Sequence, residues 1–106
     1  VLKALANVCI AELRDVDVLG RFGGEEFTVT LPETSLETAL EAAERLREAL
    51  AATRVELEDG QEISFTVSIG ASNLQDTDTS LSDLLNRADA ALYKAKEEGR
   101  NRVIAA

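Results

Sequence analysis

The chain has 106 residues, with 20 acidic side chains against 11 basic ones and a net charge of −9 at pH 7. The acidic excess argues against binding to a nucleic acid polymer, because the negative charge of the chain repels phosphates. No apolar run approaches the ~20 residues of a membrane span, so we expect no membrane contact by this segment. Histidine is absent, which excludes Ser-His-Asp and Cys-His catalysis and leaves carboxylates, basic side chains or a hard metal ion with oxygen ligands.

A first helix is predicted over residues 1–14. Apolar side chains recur there at helical spacing: Leu2, Leu5, Cys9 and Leu13. No capping residue precedes Val1, so we expect the encoded protein to continue upstream. Cys9 is the single cysteine and has apolar neighbours, which predicts a buried structural thiol and no internal disulfide. It also fits a reducing compartment, so we expect a cytoplasmic location, with membrane anchoring of the parent protein left open.

Residues 16 to 31 are predicted to form a β-hairpin. Apolar residues alternate with polar ones on the two sides of its turn: Val16 and Val18 before it, and Phe27, Val29 and Leu31 after it. Gly23-Gly24 supplies the positive φ angles that a tight turn needs. Pro32 ends the second strand, where a missing N–H is harmless.

A second helix is expected after Pro32, with Thr34 and Glu37 as a capping box. Its apolar stripe comprises Leu36, Leu40, Ala43, Leu46 and Leu50. Residues 55–72 then predict a strand pair around Asp59-Gly60. The second strand of the pair has the clearest alternation in the chain, with Ile63, Phe65, Val67, Ile69 and Ala71 on one side.

The last helix is predicted to start near Ser80, with Asp83 at capping-box spacing and Gly99 as the C′ residue. Its inner face is expected to comprise Leu81, Leu84, Leu85, Ala88 and Leu92. A final strand from Arg102 to Ala105 would complete the sheet. The order α-β-β-α-β-β-α-β predicts an α/β sandwich (α+β), in which helices flank a sheet that contains antiparallel strands.

The segment Arg21-Phe22-Gly23-Gly24-Glu25-Glu26-Phe27 places two adjacent carboxylates at a hairpin turn. Like charges repel, so a cation is a natural partner for the pair, and glycines without Cβ atoms let a ligand approach the backbone. These residues suit Mg²⁺ that carries a nucleotide phosphate. From spacing alone, the commoner explanation is a Gly-Gly turn with two solvated glutamates.

Gly23-Gly24-Glu25-Glu26-Phe27 resembles the signature of the GGDEF family, the diguanylate cyclases, with Glu in place of Asp at the third position. Further segments carry the resemblance along the chain: Leu31-Pro32, Thr66 to Gly70, Arg87-Ala88-Asp89, Ala91-Leu92-Tyr93, Lys96 and Gly99-Arg100-Asn101. It implies a fold like the palm of nucleotidyl cyclases and polymerases, without the strand and helices that open the family's domain. Residues 1–106 are interpreted as a single partial GGDEF domain, the C-terminal portion.

The resemblance implies that two domains of a homodimer each hold one GTP and together make cyclic di-GMP and pyrophosphate. The 3′-hydroxyl of each GTP would attack the α-phosphate of the other, with Mg²⁺ or Mn²⁺ neutralising the phosphates. Glu25 matches the family's metal ligand, and Glu26 matches an acid that binds metal or assists deprotonation of the hydroxyl. Gly23 and Gly24 match the glycines against which the nucleotide lies.

Lys96 and Arg100 match the family's phosphate contacts. Without that match, both would be interpreted as cations that stabilise the carbonyl end of a helix. Lys94 has no matched role and is interpreted as a solvated surface residue.

Arg14 and Asp17 form an Arg-x-x-Asp sequence, with five residues between Asp17 and Gly23, and resemble the family's product-inhibition site. An arginine can bind the O6/N7 edge of guanine, and a carboxylate can accept from its N1 and N2 hydrogens. Arg45 matches a basic residue of that site. The alternatives are an exposed Arg14–Asp17 ion pair and an i,i+4 pair of Arg45 with Glu41.

The family's other main metal-binding aspartate lies in the part of the domain that has no counterpart here, so we expect the 106 residues alone to be inactive. The first interpretation is an active diguanylate cyclase domain seen in part. The second is a catalytically incomplete receptor that binds cyclic di-GMP through Arg14 and Asp17, and the intact signature favours the first. A dimerising scaffold without nucleotide is a weaker third hypothesis.

Overall fold

The computed structural model describes residues 2–21 and 26–106. Three helices and six strands lie within them: α1 (Leu2–Glu12), β1 (Val18–Arg21), β2 (Phe27–Thr30), α2 (Leu36–Ala51), β3 (Arg54–Glu56), β4 (Glu62–Ser64), β5 (Ile69–Ala71), α3 (Leu81–Glu97) and β6 (Val103–Ala105). The helices pack on short strands, which confirms the predicted α/β class. Among the described residues, no helix combines the length and the hydrophobicity needed to cross a bilayer.

The strands form three two-stranded sheets. β1 and β2 are antiparallel, with Val18 opposite Thr30, so the first predicted hairpin is confirmed, while Gly23-Gly24 at its tip lies outside the described residues. β3 and β4 form the second hairpin, and Gly60 in its turn has a φ of 84°. β5 and β6 are parallel, which brings the last strand beside one from the middle of the chain.

The predicted continuous strand from Ile63 to Ala71 is wrong, because the structure divides it into β4 and β5. Phe65 and Val67 are half-buried and Thr66 is exposed, so the alternation of burial continues through the break. Among the described residues, this stretch pairs with no neighbouring strand. A period-two pattern reports which side chains face the core, whereas a strand also needs a hydrogen-bonded neighbour. Three strands, not two, therefore separate α2 from α3.

Helix α2 begins after Ser35, which is its N-cap. The Ser35 hydroxyl accepts from the Thr38 N–H at 3.2 Å, whereas the Thr34 hydroxyl donates to the carbonyl of Pro32. The predicted capping box of Thr34 and Glu37 is therefore wrong. A serine directly before the first helical residue takes the capping place, and the threonine is left for another role.

Helix α3 begins after Ser80, as predicted, but the Ser80 side chain makes no capping bond. Asp83 accepts instead from the N–H of Thr79 at 2.8 Å and from its hydroxyl at 3.1 Å. These bonds to Thr79 lower the pKa of Asp83. Asp83 therefore accepts from a backbone N–H at the start of the helix, as predicted, but this N–H belongs to Thr79 and not to Ser80.

The buried centre of the core comprises Cys9, Leu46 and Leu50. Half-buried apolar side chains surround it: Leu5, Val8, Leu13, Leu19, Phe65 and Val67. The core therefore joins α1 and α2 to the strands. The prediction of a buried Cys9 is confirmed by an exposure of 3%. Burial raises the pKa of this thiol, which keeps it protonated and poorly reactive at neutral pH.

Helix α3 lies very close to β5 at Gly70. A Cβ atom built on Gly70 would lie 2.1 Å from the carbonyl oxygen of Ala88 and 2.3 Å from the amide nitrogen of Leu92. Both neighbours are helix backbone, so they cannot rotate away as a side chain could. Only glycine permits the helix to pack at this distance from the strand.

The buried face of α3 differs from the predicted one at its start. Ala91 and Ala95 are buried, whereas Leu81, which was expected to face inward, is 65% exposed. The contact with β5 lies at Ala88 and Leu92, about two helical turns beyond Leu81. The first turn of the helix therefore extends past the short strand.

We expect Gly70→Ala to lower the free energy of unfolding by about 3 kcal/mol or more, because the new methyl group would overlap backbone atoms of α3. Gly20→Ala is a matched control on β1, since its added Cβ meets only the Thr28 hydroxyl at 3.1 Å and that side chain can rotate. Equilibrium denaturation with urea measures both changes. Equal midpoints for the two variants would contradict the close packing at Gly70.

Candidate functional site

The tip of the β1–β2 hairpin, residues 22–26, carries the predicted metal residues and two of the predicted substrate residues. Three of them lie outside the described part of the chain: Gly23, Gly24 and Glu25. Glu26 is described and is half-buried directly before β2. Because Arg21 lies opposite Phe27 in the ladder, the two ends of the tip are held side by side. The hairpin thus provides a fixed base for the two adjacent carboxylates.

Carboxylate oxygens are the ligands that Mg²⁺ takes in proteins. Within the part of the chain that the structure describes, no group of three or more His, Cys, Asp or Glu side chains is placed to hold a metal ion. A divalent site at the tip would therefore combine Glu26 with donors outside the described residues.

Lys96 and Arg100 lie at the C-terminal end of α3. Lys96 is exposed in the last helical turn. Gly99 is the C′ residue, as predicted, with a φ of 121°. The N–H of Arg100 donates to the carbonyl of Ala95 at 2.9 Å, which is the long bond of a Schellman motif. Both cations are at the carbonyl end of the helix, so this geometry fits either an anion-binding role or stabilisation of the helix dipole.

Arg14 and Asp17 form a closed clamp after α1. The guanidinium donates to the carboxylate from Nε at 3.2 Å and from Nη2 at 2.8 Å. The N–H of Arg14 donates to the same carboxylate at 2.9 Å, and the N–H of Asp17 donates to the Arg14 carbonyl at 3.0 Å. The Asp17 side chain is 3% exposed and that of Arg14 is 55% exposed. The clamp therefore differs from an ordinary surface ion pair, because its acid is buried.

The Arg14 guanidinium also reaches the turn between β2 and α2. Its Nη2 donates to the Thr34 hydroxyl at 2.9 Å and to the Pro32 carbonyl at 3.3 Å. The hydrogen bonds between Arg14 and Asp17 lower the pKa of Asp17 and raise the pKa of Arg14, so both stay charged at neutral pH. Thr34 is a contact that sequence reasoning missed. The presence of Ser35 as a second possible cap was the signal that Thr34 could serve elsewhere.

A groove of 90 Å³ brings together the three residues that were predicted as a product site. Arg14, Asp17 and Arg45 all line it. The rest of its wall comprises Glu12, Leu13, Leu31, Thr34, Thr38 and Ala42. Arg45 forms no ion pair with Glu41 or with any other acid among the described residues, so its charge is available to a ligand in the groove.

A second concavity, of 390 Å³, shares the clamp with this groove. Arg14 and Asp17 lie in its wall beside Ile10, Leu13 and Leu19. Ile10 is 67% exposed. An apolar wall beside a charged donor–acceptor pair suits a flat ring that has a polar edge.

Arg87, one of the residues that carry the resemblance, has a structural role. Its guanidinium donates to the Asp78 carboxylate from Nη1 at 2.5 Å and from Nη2 at 2.8 Å, and to the Asn73 carbonyl at 2.8 Å. Asp78 is 3% exposed and also accepts from the Gln75 N–H. These contacts hold loop 73–79 against α3. The bonds from Arg87 and Gln75 lower the pKa of Asp78 to about 2.

The sequence matches the family described as "Diguanylate cyclase, GGDEF domain" over residues 1–102. The chain belongs to the GGDEF domain family. The matched range includes the hairpin tip, the Arg14–Asp17 clamp and the end of α3, so all three candidate regions lie within the family domain.

Curated relatives of this GGDEF chain include the diguanylate cyclase DgcM of Escherichia coli strain K12. The two are 44% identical over 106 residues, which is 100% of this chain and 25% of DgcM. The chain spans between 15% and 29% of the length of four such relatives.

Two solved GGDEF domains show the same fold. The active GGEEF domain of a diguanylate cyclase from Vibrio cholerae is 38% identical, with a TM-score of 0.86, and the match covers 98% of this chain and 65% of that one. The GGDEF domain of DgcB from Caulobacter crescentus, solved in complex with c-di-GMP, is 29% identical with a TM-score of 0.88, and the match covers 95% and 60% of the two chains. The predicted palm-like fold is confirmed by these neighbours.

We expect Asp78→Asn to destabilise the protein at neutral pH but not in strong acid. The pKa of Asp78 is lower in the folded state than its ordinary 3.8, so its contribution to stability is complete above pH ~4 and is lost as the pH falls through about 2. Denaturation midpoints of wild type and variant should therefore converge over that range.

Asp76→Asn is the matched control for this measurement, because Asp76 is an exposed acid of the same loop. We expect its midpoint to follow that of the wild type at every pH. A constant gap between wild type and Asp78→Asn from pH 7 down to pH 2 would show that the charge of Asp78 does not stabilise the loop.

Proposed function

We propose that the chain is part of the catalytic domain of a diguanylate cyclase, which condenses two GTP molecules into cyclic di-GMP and two pyrophosphates. The observation that carries this proposal is the intact Gly23-Gly24-Glu25-Glu26-Phe27 sequence at the tip of the β1–β2 hairpin, within a chain that matches the family over residues 1–102. The related Vibrio cholerae domain is a GGEEF domain, with glutamate at the same place, and is described as active.

The reaction needs two copies of the domain, because each GTP supplies one attacking hydroxyl and one α-phosphate. In each of two steps, O3′ of one GTP loses its proton and bonds to the α-phosphorus of the other, and the bond from that phosphorus to pyrophosphate breaks. Two pyrophosphates are therefore released for each cyclic product. A homodimer in which two hairpin tips face each other satisfies this geometry. GTP is a cytoplasmic nucleotide, so we place the domain in the cytoplasm.

Glu25 and Glu26 are proposed as the metal-binding acids of the tip, with Gly23 and Gly24 leaving the backbone open to the nucleotide. A bound Mg²⁺ or Mn²⁺ would neutralise the phosphates and lower the pKa of the 3′-hydroxyl. Oxygen donors from two carboxylates and substrate phosphates fit such an ion, and this chain has no histidine that would favour a softer metal.

Lys96 and Arg100 are proposed to hold the phosphates of GTP. Both are exposed at the end of α3, and neither side chain forms a hydrogen bond or ion pair with another described residue. Cations that are free in this way can take a polyanionic ligand without first breaking an internal contact.

Arg14, Asp17 and Arg45 are proposed as a separate product site. They share the walls of one groove, and the related DgcB domain was solved with c-di-GMP. Among the hydrogen bonds of the described residues, none uses Nη1 of Arg14, so guanine can contact this nitrogen first, before the clamp opens to give a bidentate contact.

A cyclic di-GMP receptor without catalysis is the second candidate function. The observation that favours it is that Arg14, Asp17 and Arg45 line one groove, where they could bind product without the proposed catalytic acids of the hairpin tip. A receptor would bind product but would form none from GTP, so turnover separates the two functions.

In the full-length domain, we expect Glu25→Gln to reduce cyclic di-GMP formation at least ~100-fold, because loss of one metal ligand removes several kcal/mol of charge stabilisation in the transition state. Product is quantified by chromatography after incubation with GTP and Mg²⁺. Glu58→Gln is the matched control, an exposed glutamate at the other hairpin turn. Near-normal turnover of Glu25→Gln would show that the tip glutamates are only a solvated turn.

We expect Arg14→Ala to weaken binding of cyclic di-GMP roughly 10- to 100-fold, the range for loss of one bidentate guanine contact. In the intact enzyme, initial turnover should stay close to wild type while product inhibition is relieved. Calorimetric titration of product gives the affinity, and Arg54→Ala, at an exposed arginine on β3, controls for the lost charge.

Arg14→Ala also leaves Asp17 as a buried carboxylate without its cation, which lowers stability. The double variant Arg14→Ala/Asp17→Ala removes the stranded charge. We expect it to recover stability and still to bind product weakly. If both variants bound cyclic di-GMP with wild-type affinity, the Arg14–Asp17 clamp would have a structural role only.

A further inference from the structure

The turn after α3 has three successive residues in the left-handed region of φ. Gly99 has a φ of 121°, Arg100 of 65° and Asn101 of 47°. Glycine adopts such angles without cost, whereas a residue with a Cβ atom does so only when its surroundings hold it there. Asparagine tolerates this region better than arginine does. The conformation of Arg100 therefore depends on contacts made by its neighbours.

Two hydrogen bonds attach this turn to the helices, and a third lies within the turn, where Nε of Arg102 donates to the carbonyl of Arg100 at 3.0 Å. The N–H of Arg100 donates to the carbonyl of Ala95 at 2.9 Å, which ties its backbone to α3. The Arg47 side chain on α2 donates from Nη1 to Oδ1 of Asn101 at 2.8 Å, although the two residues are 54 positions apart in the chain. The turn is thus attached to both helices.

Arg47 is itself held in one direction. Its Nε donates to the two carboxylate oxygens of Glu44 at 3.0 and 3.1 Å, and Nη2 donates to the same acid. The Arg47 side chain is 18% exposed. With two nitrogens on Glu44, the third points at Asn101, so the position of Asn101 is set by a rigid group of α2.

We infer that Arg47 and Asn101 are positioning residues for Arg100. Their hydrogen bond keeps Asn101 at positive φ, and that conformation sets the direction in which the adjacent Arg100 leaves the turn. Arg100 then meets a nucleotide phosphate from a prepared position. This inference rests on the phosphate role proposed for Arg100. Neither Arg47 nor Asn101 needs to touch the nucleotide.

A purely structural role makes a different prediction. If the Arg47–Asn101 bond only joined α2 to the end of α3, its loss would lower stability and leave nucleotide affinity unchanged in molecules that remain folded. A positioning role requires that the loss appear in nucleotide affinity and that it disappear once Arg100 is removed.

The test is a double-mutant cycle with a GTP analogue that has a methylene group between its α- and β-phosphates, titrated by calorimetry into the protein with Mg²⁺. We expect Arg100→Ala, Asn101→Ala and Arg47→Met each to weaken binding by about tenfold, the size of one hydrogen bond to a charged group. In the Arg100→Ala background, Asn101→Ala and Arg47→Met should cause no further loss.

Two controls accompany the cycle. Lys94→Ala removes a positive charge from the same helix at a residue with no proposed role, and its affinity should equal that of the wild type. Asn101→Gly keeps access to positive φ and loses only the side-chain amide, so it takes the place of Asn101→Ala in the cycle if that variant does not fold. We expect it to bind the analogue more weakly than wild type.

Wild-type affinity for Arg100→Ala would overturn the proposed phosphate role, and the inference with it. Weaker binding by Arg100→Ala together with wild-type affinity for Asn101→Gly and Arg47→Met would overturn the positioning role alone. The positioning role would also be overturned if Asn101→Ala and Arg47→Met weakened binding as much in the Arg100→Ala background as in the wild type. Their effects would then not act through Arg100.

Discussion

The contact between Gly70 and helix α3 constrains the whole C-terminal half of the chain. Because strand backbone meets helix backbone there with no side chain between, α3 cannot shift on β5 without an overlap or a void. β6 pairs in parallel with β5, so the chain must turn back directly after the helix. The N–H of Ile69 already donates to the carbonyl of Arg102 at 2.9 Å. The proposed phosphate ligand Arg100 therefore lies between two fixed elements.

The Arg14–Asp17 clamp joins stability and proposed recognition in one pair of side chains. A buried carboxylate that loses its cation is costly, so a ligand can open the clamp only if it offers Asp17 replacement donors. Guanine presents acceptors at O6 and N7 for Arg14 and hydrogens at N1 and N2 for Asp17. Adenine has a donor where guanine has O6, so it would place a donor against the guanidinium. The proposed site would therefore bind guanine in preference to adenine.

Local signals in the sequence predicted most of the elements, and long-range contacts accounted for the misses. Asp-Gly and Ser80 indicated a turn and a helix start because each acts on its immediate neighbours. The break within residues 63–71 could not be predicted, since alternation reports burial and not pairing. Gly70 occupied an ordinary alternate position, and only the packing of α3 showed why no other residue fits.

In the candidate sites, too, local pairs were predictable from the sequence and long-range contacts were not. Arg14 and Asp17 are three residues apart, so their spacing predicted the pair, whereas the approach of Arg45 and Thr34 to it depends on how α2 packs against α1. Asn101 carried part of the family resemblance, but its bond to Arg47 gave no sequence signal, because a contact across 54 positions requires the tertiary structure. The roles of Gly23, Gly24 and Glu25 at the hairpin tip stay predictions.

Within one turn of helix α2, two arginines face in opposite directions, each toward one of the two proposed nucleotide sites. Residues two apart on a helix differ in direction by about 200°, so Arg45 faces the product groove while Arg47 faces the turn that carries Arg100. Leu46 lies between them and is buried in the core at 8% exposure. Since Arg45 and Arg47 belong to one helix, a displacement of α2 that opened the groove at Arg45 would also move Arg47 and disturb the packing of Leu46. The burial of Leu46 therefore restrains both arginines together.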